Sequence, residues 1–218
     1  MGAENLNSLA LNAYDYGFRR DAHQILAWGY QDALPEIHCN LMEEAITGLI
    51  VEAIEKRLDA PSTPEKFDRY SIEEEKPISV EERTGKSRRR LDLVVVGHSR
   101  PRPKYIFEAK RLRKNGYPIG KYVGQGGLQC FVKGVYAAQY PEAAMIAYIQ
   151  SDVASYWESE LKRCFDRDSN NVLCTTKLLQ RVQVLTSTPD VWVSEHERGV
   201  GNSIAVYHIF LNCSASST

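Results

Sequence analysis

The chain has 218 residues, 43% of them apolar and 25% charged, with a formal net charge of −1. That composition fits a globular domain with a sizeable core and excludes a disordered or fibrous chain. No apolar run reaches membrane-spanning length, and the opening "MGAENLNSLALNAYDYG" lacks the basic and apolar segments of a secretory signal, so a cytoplasmic protein without a membrane is expected. Five scattered cysteines, Cys39, Cys130, Cys164, Cys174 and Cys213, form no C-x-x-C pair and suggest neither a disulfide framework nor a zinc site.

In chain order, "YGFRRDAHQILAWGYQDAL" has the apolar spacing of a helix over Phe18, Ala22, Ile25, Leu26, Tyr30 and Ala33, closed by Pro35. Residues 1–34 read as an N-terminal helical annex to a single domain spanning 1–218. A second helix is predicted over residues 36–58, with Met42, Ile46, Leu49, Ile50, Ala53 and Ile54 as its core stripe. Three strands follow as a meander, "YSIEEEKPISV", "RRLDLVVVG" and "KYIFEAK". A helix is predicted over "GLQCFVKGVYAAQY", after the breaker-rich "NGYPIGKYVGQGG", then a short buried strand from Met145 to Ile149. The next helix, "VASYWESELKRCF", has Ser151 or Asp152 as its expected cap. Three more strands are predicted in "RVQVLTS", "DVWVSEH" and "SIAVYHIFL". The order predicts an α/β protein, a mixed central sheet flanked by helices.

Charge is distributed unevenly. Thirteen bases and two acids lie between Arg83 and Lys121, giving that segment +11 while the remainder carries −12. Such a zone suits a polyanion, nucleic acid above all. Its two acids are Asp92 and Glu108, each on a strand with apolar residues on both faces. Residues two apart share a face, so Glu108 and Lys110 lie together with Ile106. Charges inside a doubly buried strand must be paired or bind a cation. Two carboxylates near one ammonium suit a hard divalent ion such as Mg²⁺, with Mn²⁺ as a substitute. The lysine would then orient an attacking water or stabilise charge on a phosphorane.

Asp92 followed by Glu108-Ala109-Lys110, each half on a strand of a predicted hairpin after a carboxylate-bearing helix, resembles the PD-(D/E)xK nuclease superfamily. Leu91 stands where that pattern often has proline. The resemblance covers Glu43 to about Ile149 and implies a restriction-endonuclease-like core. It implies metal-dependent hydrolysis of phosphodiester bonds, with Asp92 and Glu108 as ligands and the Ala109 carbonyl as a third. Many members also bring a glutamate from the first core helix to the metal. Taking Ile46 as reference, Glu43 lies about 60° from the apolar stripe and Glu44 about 160° away, which favours Glu43.

Weaker signals are Arg111 beside the motif, Gln129 at the edge of its helix face, and "SEHER", which puts Ser194, His196 and Arg198 on one strand face near His208. Arg111, Gln129, His196 and Arg198 are expected nucleic-acid contacts. The expected function is an Mg²⁺-dependent endonuclease acting on double-stranded DNA, in restriction or antiviral defence by analogy of fold alone. A homodimer and a partner subunit supplying specificity are both compatible with it. The alternatives are a non-catalytic nucleic-acid-binding module and an interaction protein whose acidic and basic faces drive self-assembly.

Overall fold

The computed structural model describes residues 3–77, 90–100, 102–186, 191–199 and 202–215. Among the described residues, seven strands form one mixed sheet. In chain order they are β1 (Tyr70–Pro77), β2 (Arg90–Gly97), β3 (Lys104–Leu112), β4 (Glu142–Ile149), β5 (Thr175–Val182), β6 (Val191–Glu197) and β7 (Ser203–Asn212). Their spatial order is β1-β2-β3-β4-β7-β6-β5. The expected meander is β1-β2-β3, paired antiparallel, whereas β3, β4 and β7 run parallel. The central strands have apolar side chains on both faces because helices cover both.

On one face α1 (Ala3–Ala33) and α2 (Glu43–Leu58) pack over Leu93, Val95, Phe107, Ile146 and Tyr148. On the other, α3 (Ile119–Val123), α4 (Leu128–Val132) and α5 (Ala154–Asp166) cover Val94, Ile106, Met145, Ala147 and Val206. Phe18, Ala22, Ile25 and Leu26 of α1 lie in this core, so this stretch of the segment expected to be an annex forms part of its wall. Gly29 lets α1 approach α2: a Cβ there would lie 2.3 Å from Ile54 Cγ1. None of the helices described is long and apolar enough to cross a membrane.

Several boundaries differ from expectation. α2 starts at Glu43, not residue 36, because the preceding chain leaves the helix: Ile37 is buried in the core and the Cys39 amide donates to the Ala215 carbonyl. Met42, expected in the stripe, is 54% exposed at the helix entrance, while Thr47 and Val51 are buried. The helix predicted over 127–140 stops at Val132, since Gly134 and Ala137 take positive φ of 66° and 51°. Its supposed loop instead contains α3. β5 lies N-terminal of "RVQVLTS" and shares only Arg181 and Val182 with it. Neither Ser151 nor Asp152 caps α5; the Ser151 hydroxyl accepts the Lys114 amide and donates to Asp152.

Candidate active site

The β2–β3 ladder holds four pairs and ends at Leu93↔Phe107. Beyond that pair the strands part, and Leu91 packs with Val94 and Val96 instead of with Leu93 and Val95. The amides of Ala109 and Arg111, two apart, point to the same strand edge and have lost β2 as a partner. Carboxylates replace it. Ala109 donates to Asp92 Oδ2 at 2.7 Å, and Arg111 donates to Glu43 Oε2 at 2.9 Å. The gap between the strands thus admits Glu43 from the first turn of α2, and its other oxygen accepts Lys110 Nζ at 2.9 Å. Glu44 at the next position is exposed.

Lys110 sits at the centre of the cluster. Its ammonium lies 2.9 Å from Glu108 Oε1 and 3.8 Å from Asp92 Oδ2, and it also donates to the Ala109 carbonyl. Glu108 is 3% exposed, and its Oε2 is buried without a hydrogen-bond partner among the described residues. Burial first, then the Asp92 charge, push the Glu108 carboxyl up to about 8 against the pull of Lys110. Asp92 is raised as well, again chiefly by burial, against the opposing influence of Lys110 and the Ala109 amide. Burial would lower Lys110, but Glu108, Asp92 and Glu43 together hold it above the ordinary lysine range. Among the described residues the cluster has three carboxyl groups for one ammonium, so within that set the acids are undercompensated and one of them favours a proton. Among the described residues, no three side chains of His, Cys, Asp or Glu form a ready-made metal cage.

The segment entering α2 is clamped by residues the sequence did not single out for this place. The Leu41 carbonyl accepts both Gln150 Nε2 at 2.7 Å and Arg111 NH1 at 3.2 Å. Thr47 donates to the Glu43 carbonyl or meets Tyr148 OH, each at 3.0 Å. A glutamine closing the otherwise apolar "MIAYIQ" is the signal that would have exposed Gln150.

The expected nucleic-acid contacts are placed differently. Arg111 is 8% exposed, turned inward against Leu41, Met42 Sδ and the Tyr117 ring, so it offers no guanidinium to a phosphate. Arg198 spends its guanidinium on the carbonyls of Ala137, Ala138 and Tyr140. His196 is fully buried in a relay whose direction follows from its end: the Leu173 carbonyl can only accept, so His196 Nδ1 carries the proton. Its Nε2 then accepts the Ser194 hydroxyl at 2.7 Å, Ser194 accepts His208 Nε2 at 2.9 Å, and His208 Nδ1 accepts Tyr122 OH at 2.9 Å. Burial holds His208 at about 3 and lowers His196. These residues knit β6 and β7 to the helices. Gln129 is half-buried on α4 and makes no side-chain hydrogen bond to the carboxylate cluster among the described residues.

The basic zone is divided in two. Arg83, Lys86, Arg88 and Arg89 lie outside the described residues. Of the others, Arg100, Arg102 and Lys104 stand at the β2–β3 turn, while Arg90, Lys110, Arg111, Arg113, Lys114 and Lys121 lie toward the opposite end of the hairpin. An eight-residue strand, about 25 Å, separates the groups. An apolar cavity of about 430 Å³ between α1 and β7, lined by Leu26, Tyr30, Leu185, Val191 and Leu211 among others, includes none of the clustered acids. The acids and the ammonium, not this apolar hollow, carry the titratable chemistry. No family model, no curated protein and no solved structure matches the chain.

Proposed function

We propose that this chain is a metal-dependent endonuclease of the PD-(D/E)xK kind, with a restriction-endonuclease-like core, hydrolysing phosphodiester bonds of DNA. The observation that carries the reading is the parted β2–β3 hairpin, which gathers Asp92, Glu108 and Lys110 with Glu43 into one cluster. Among the described residues, the unpartnered Glu108 Oε2 and the excess of carboxyl groups over ammonium fit a hard divalent cation, held by Glu108 and Asp92. Such an ion, Mg²⁺ or Mn²⁺, supplies Lewis acidity toward a phosphate oxygen and lowers the pKa of water.

The remaining work falls to the chain itself. Lys110, held by Glu43, presents an ammonium that orients the attacking water and meets the negative charge that grows on the phosphate. Glu43 fixes that ammonium and seals the Arg111 amide, so it positions Lys110. The Ala109 carbonyl, taken by Lys110, becomes free for another partner when the ammonium turns toward substrate.

The test is incubation of the purified protein with plasmid, linear duplex, single-stranded DNA and RNA, each with Mg²⁺, Mn²⁺ or chelator. Cleavage with divalent ions and none with chelator is expected, and Lys110→Met lowers the rate by at least about 100-fold, the scale of losing one transition-state donor. Wild-type rates in Lys110→Met would refute the reading. A competing reading, a nucleic-acid-binding module without catalysis, draws on Lys110 already occupying the centre of the acids. Binding of DNA with no divalent-dependent cleavage would select it.

A further inference from the structure

Beyond the carboxylates, β3 runs into a short turn whose chemistry the cluster does not use. Arg113 and Tyr117 exchange two backbone hydrogen bonds of 3.0 Å, closing the turn around Lys114, Asn115 and Gly116. The half-buried Tyr117 ring is thereby fixed at its backbone. It is also supported from within, since the Arg111 guanidinium carbon lies 3.8 Å from the ring centroid, van der Waals stacking distance. Arg111 is itself locked, by its amide to Glu43 and its guanidinium to the Leu41 carbonyl. Glu43, Arg111 and Tyr117 therefore form one rigid chain from the cluster to the surface.

Cations surround the ring. Lys121 Nζ is 4.9 Å from the Tyr117 centroid, and Lys114 Nζ is 5.4 Å from the Tyr156 centroid. Arg113, Lys114 and Lys121 are all exposed, and none has a carboxylate partner among the described residues. Even Asp152, joined through Ser151 to the Lys114 amide, accepts from Ser151 and not from the lysine ammonium. A fixed aromatic ring amid exposed cations without carboxylate partners is the pairing that single-stranded nucleic acid recognises: cations track phosphates, and the ring stacks on a base. A fully paired duplex hides its base faces, so it has no use for the ring.

We infer that Tyr117 is a stacking platform for an unpaired nucleobase, with Arg113, Lys114 and Lys121 as its phosphate contacts. This rests on the nuclease reading for its consequence: the substrate carries a single-stranded stretch beside the bond that is cut.

The test is fluorescence anisotropy in chelator, with labelled DNA as a single strand, a blunt duplex and a duplex bearing a single-stranded tail. Tyr117→Leu is expected to weaken binding to the single strand and the tailed duplex about tenfold, leave the blunt duplex unchanged, and be rescued by Tyr117→Trp. The triple replacement Arg113→Ala, Lys114→Ala, Lys121→Ala weakens binding and flattens the slope of log affinity against log salt by about two for single strands. Photo-crosslinking of wild type to a single strand containing 5-bromouracil, read by mass spectrometry, is expected at Tyr117 and does not depend on any variant folding. Equal effects of Tyr117→Leu on single strand and blunt duplex, no effect on either, or crosslinks only elsewhere would overturn the inference. If the single-strand preference holds but Mg²⁺ brings no cleavage, the platform stands and the nuclease reading falls. If cleavage occurs and Tyr117→Leu is indifferent to strandedness, the reverse is true.

Discussion

The Asp92 carboxylate has a structural partner, the Ala109 amide, as well as its proposed place at a metal, and two substitutions separate these roles. Asn keeps an oxygen for the amide but loses the charge; Ala loses both. Asp92→Asn is therefore expected to retain stability to within about 1 kcal/mol while cleavage is lost, whereas Asp92→Ala also leaves a buried amide unpaired, at about 1–3 kcal/mol. Urea denaturation beside a plasmid-nicking assay checks both. Equal stability of the two variants would show that the Asp92–Ala109 bond does not hold the parted hairpin. Glu43 is similarly twofold, since one oxygen takes Lys110 and the other the Arg111 amide.

Among the elements, the α1–α2 contact depends on Gly29. A methyl group there would lie 2.3 Å from Ile54 Cγ1 and 2.8 Å from the Ile50 carbonyl oxygen, and the latter cannot swing aside. Gly29→Ala is expected to destabilise by roughly 1–3 kcal/mol, and Ile54→Ala made in that background to cost less than in wild type, as a double-mutant cycle of unfolding free energies would show. Simple additivity would place the collision elsewhere. The central strands were legible because β2, β3 and β4, covered on both faces, are nearly continuous apolar runs. Glu43 was legible from its angle to Ile46, and Glu108 and Lys110 from strand parity. β5 was not, because it is an outer strand with mostly exposed side chains and no apolar period to betray its start. Nor was the early end of α4, since nothing in "GVYAA" marks Ala137 for a positive φ. The point where β2 leaves β3 depends on pairing between strands, and the Gln150 and Arg111 bonds to Leu41 span 109 and 70 residues, beyond any local pattern.

For the molecule as a whole, buried titratable groups predict how stability follows pH. His208 and His23 are held at about 3, both chiefly by burial, and His196 is lowered as well. In the unfolded chain each protonates near 6.5, so their contribution is fully present above that pH and is lost as pH falls toward 3. Glu108 acts oppositely: the folded chain keeps its proton up to about 8 while the unfolded chain gives it up near 4.5, so stability is lost as pH rises through that window. Between 4.5 and 6.5 three histidines outweigh Glu108 with Asp92; above 6.5 the acid remains. Stability in chelator is expected to peak near pH 6.5 and decline between there and pH 8 by roughly 2 kcal/mol, a decline that Glu108→Gln removes. Denaturation midpoints measured across the range test this, and an unchanged slope between pH 6.5 and 8 in Glu108→Gln would contradict it.

The two β3 amides that end on carboxylates also make the cluster observable by magnetic resonance. Their proton frequencies sense the charge on Asp92 and Glu43 through a single hydrogen bond. A divalent ion drawing Asp92 away should displace the Ala109 signal first, with Arg111 following only if Glu43 loosens its grip on Lys110. Loading of the cluster can thus be followed spin by spin in a protein that has met no substrate at all.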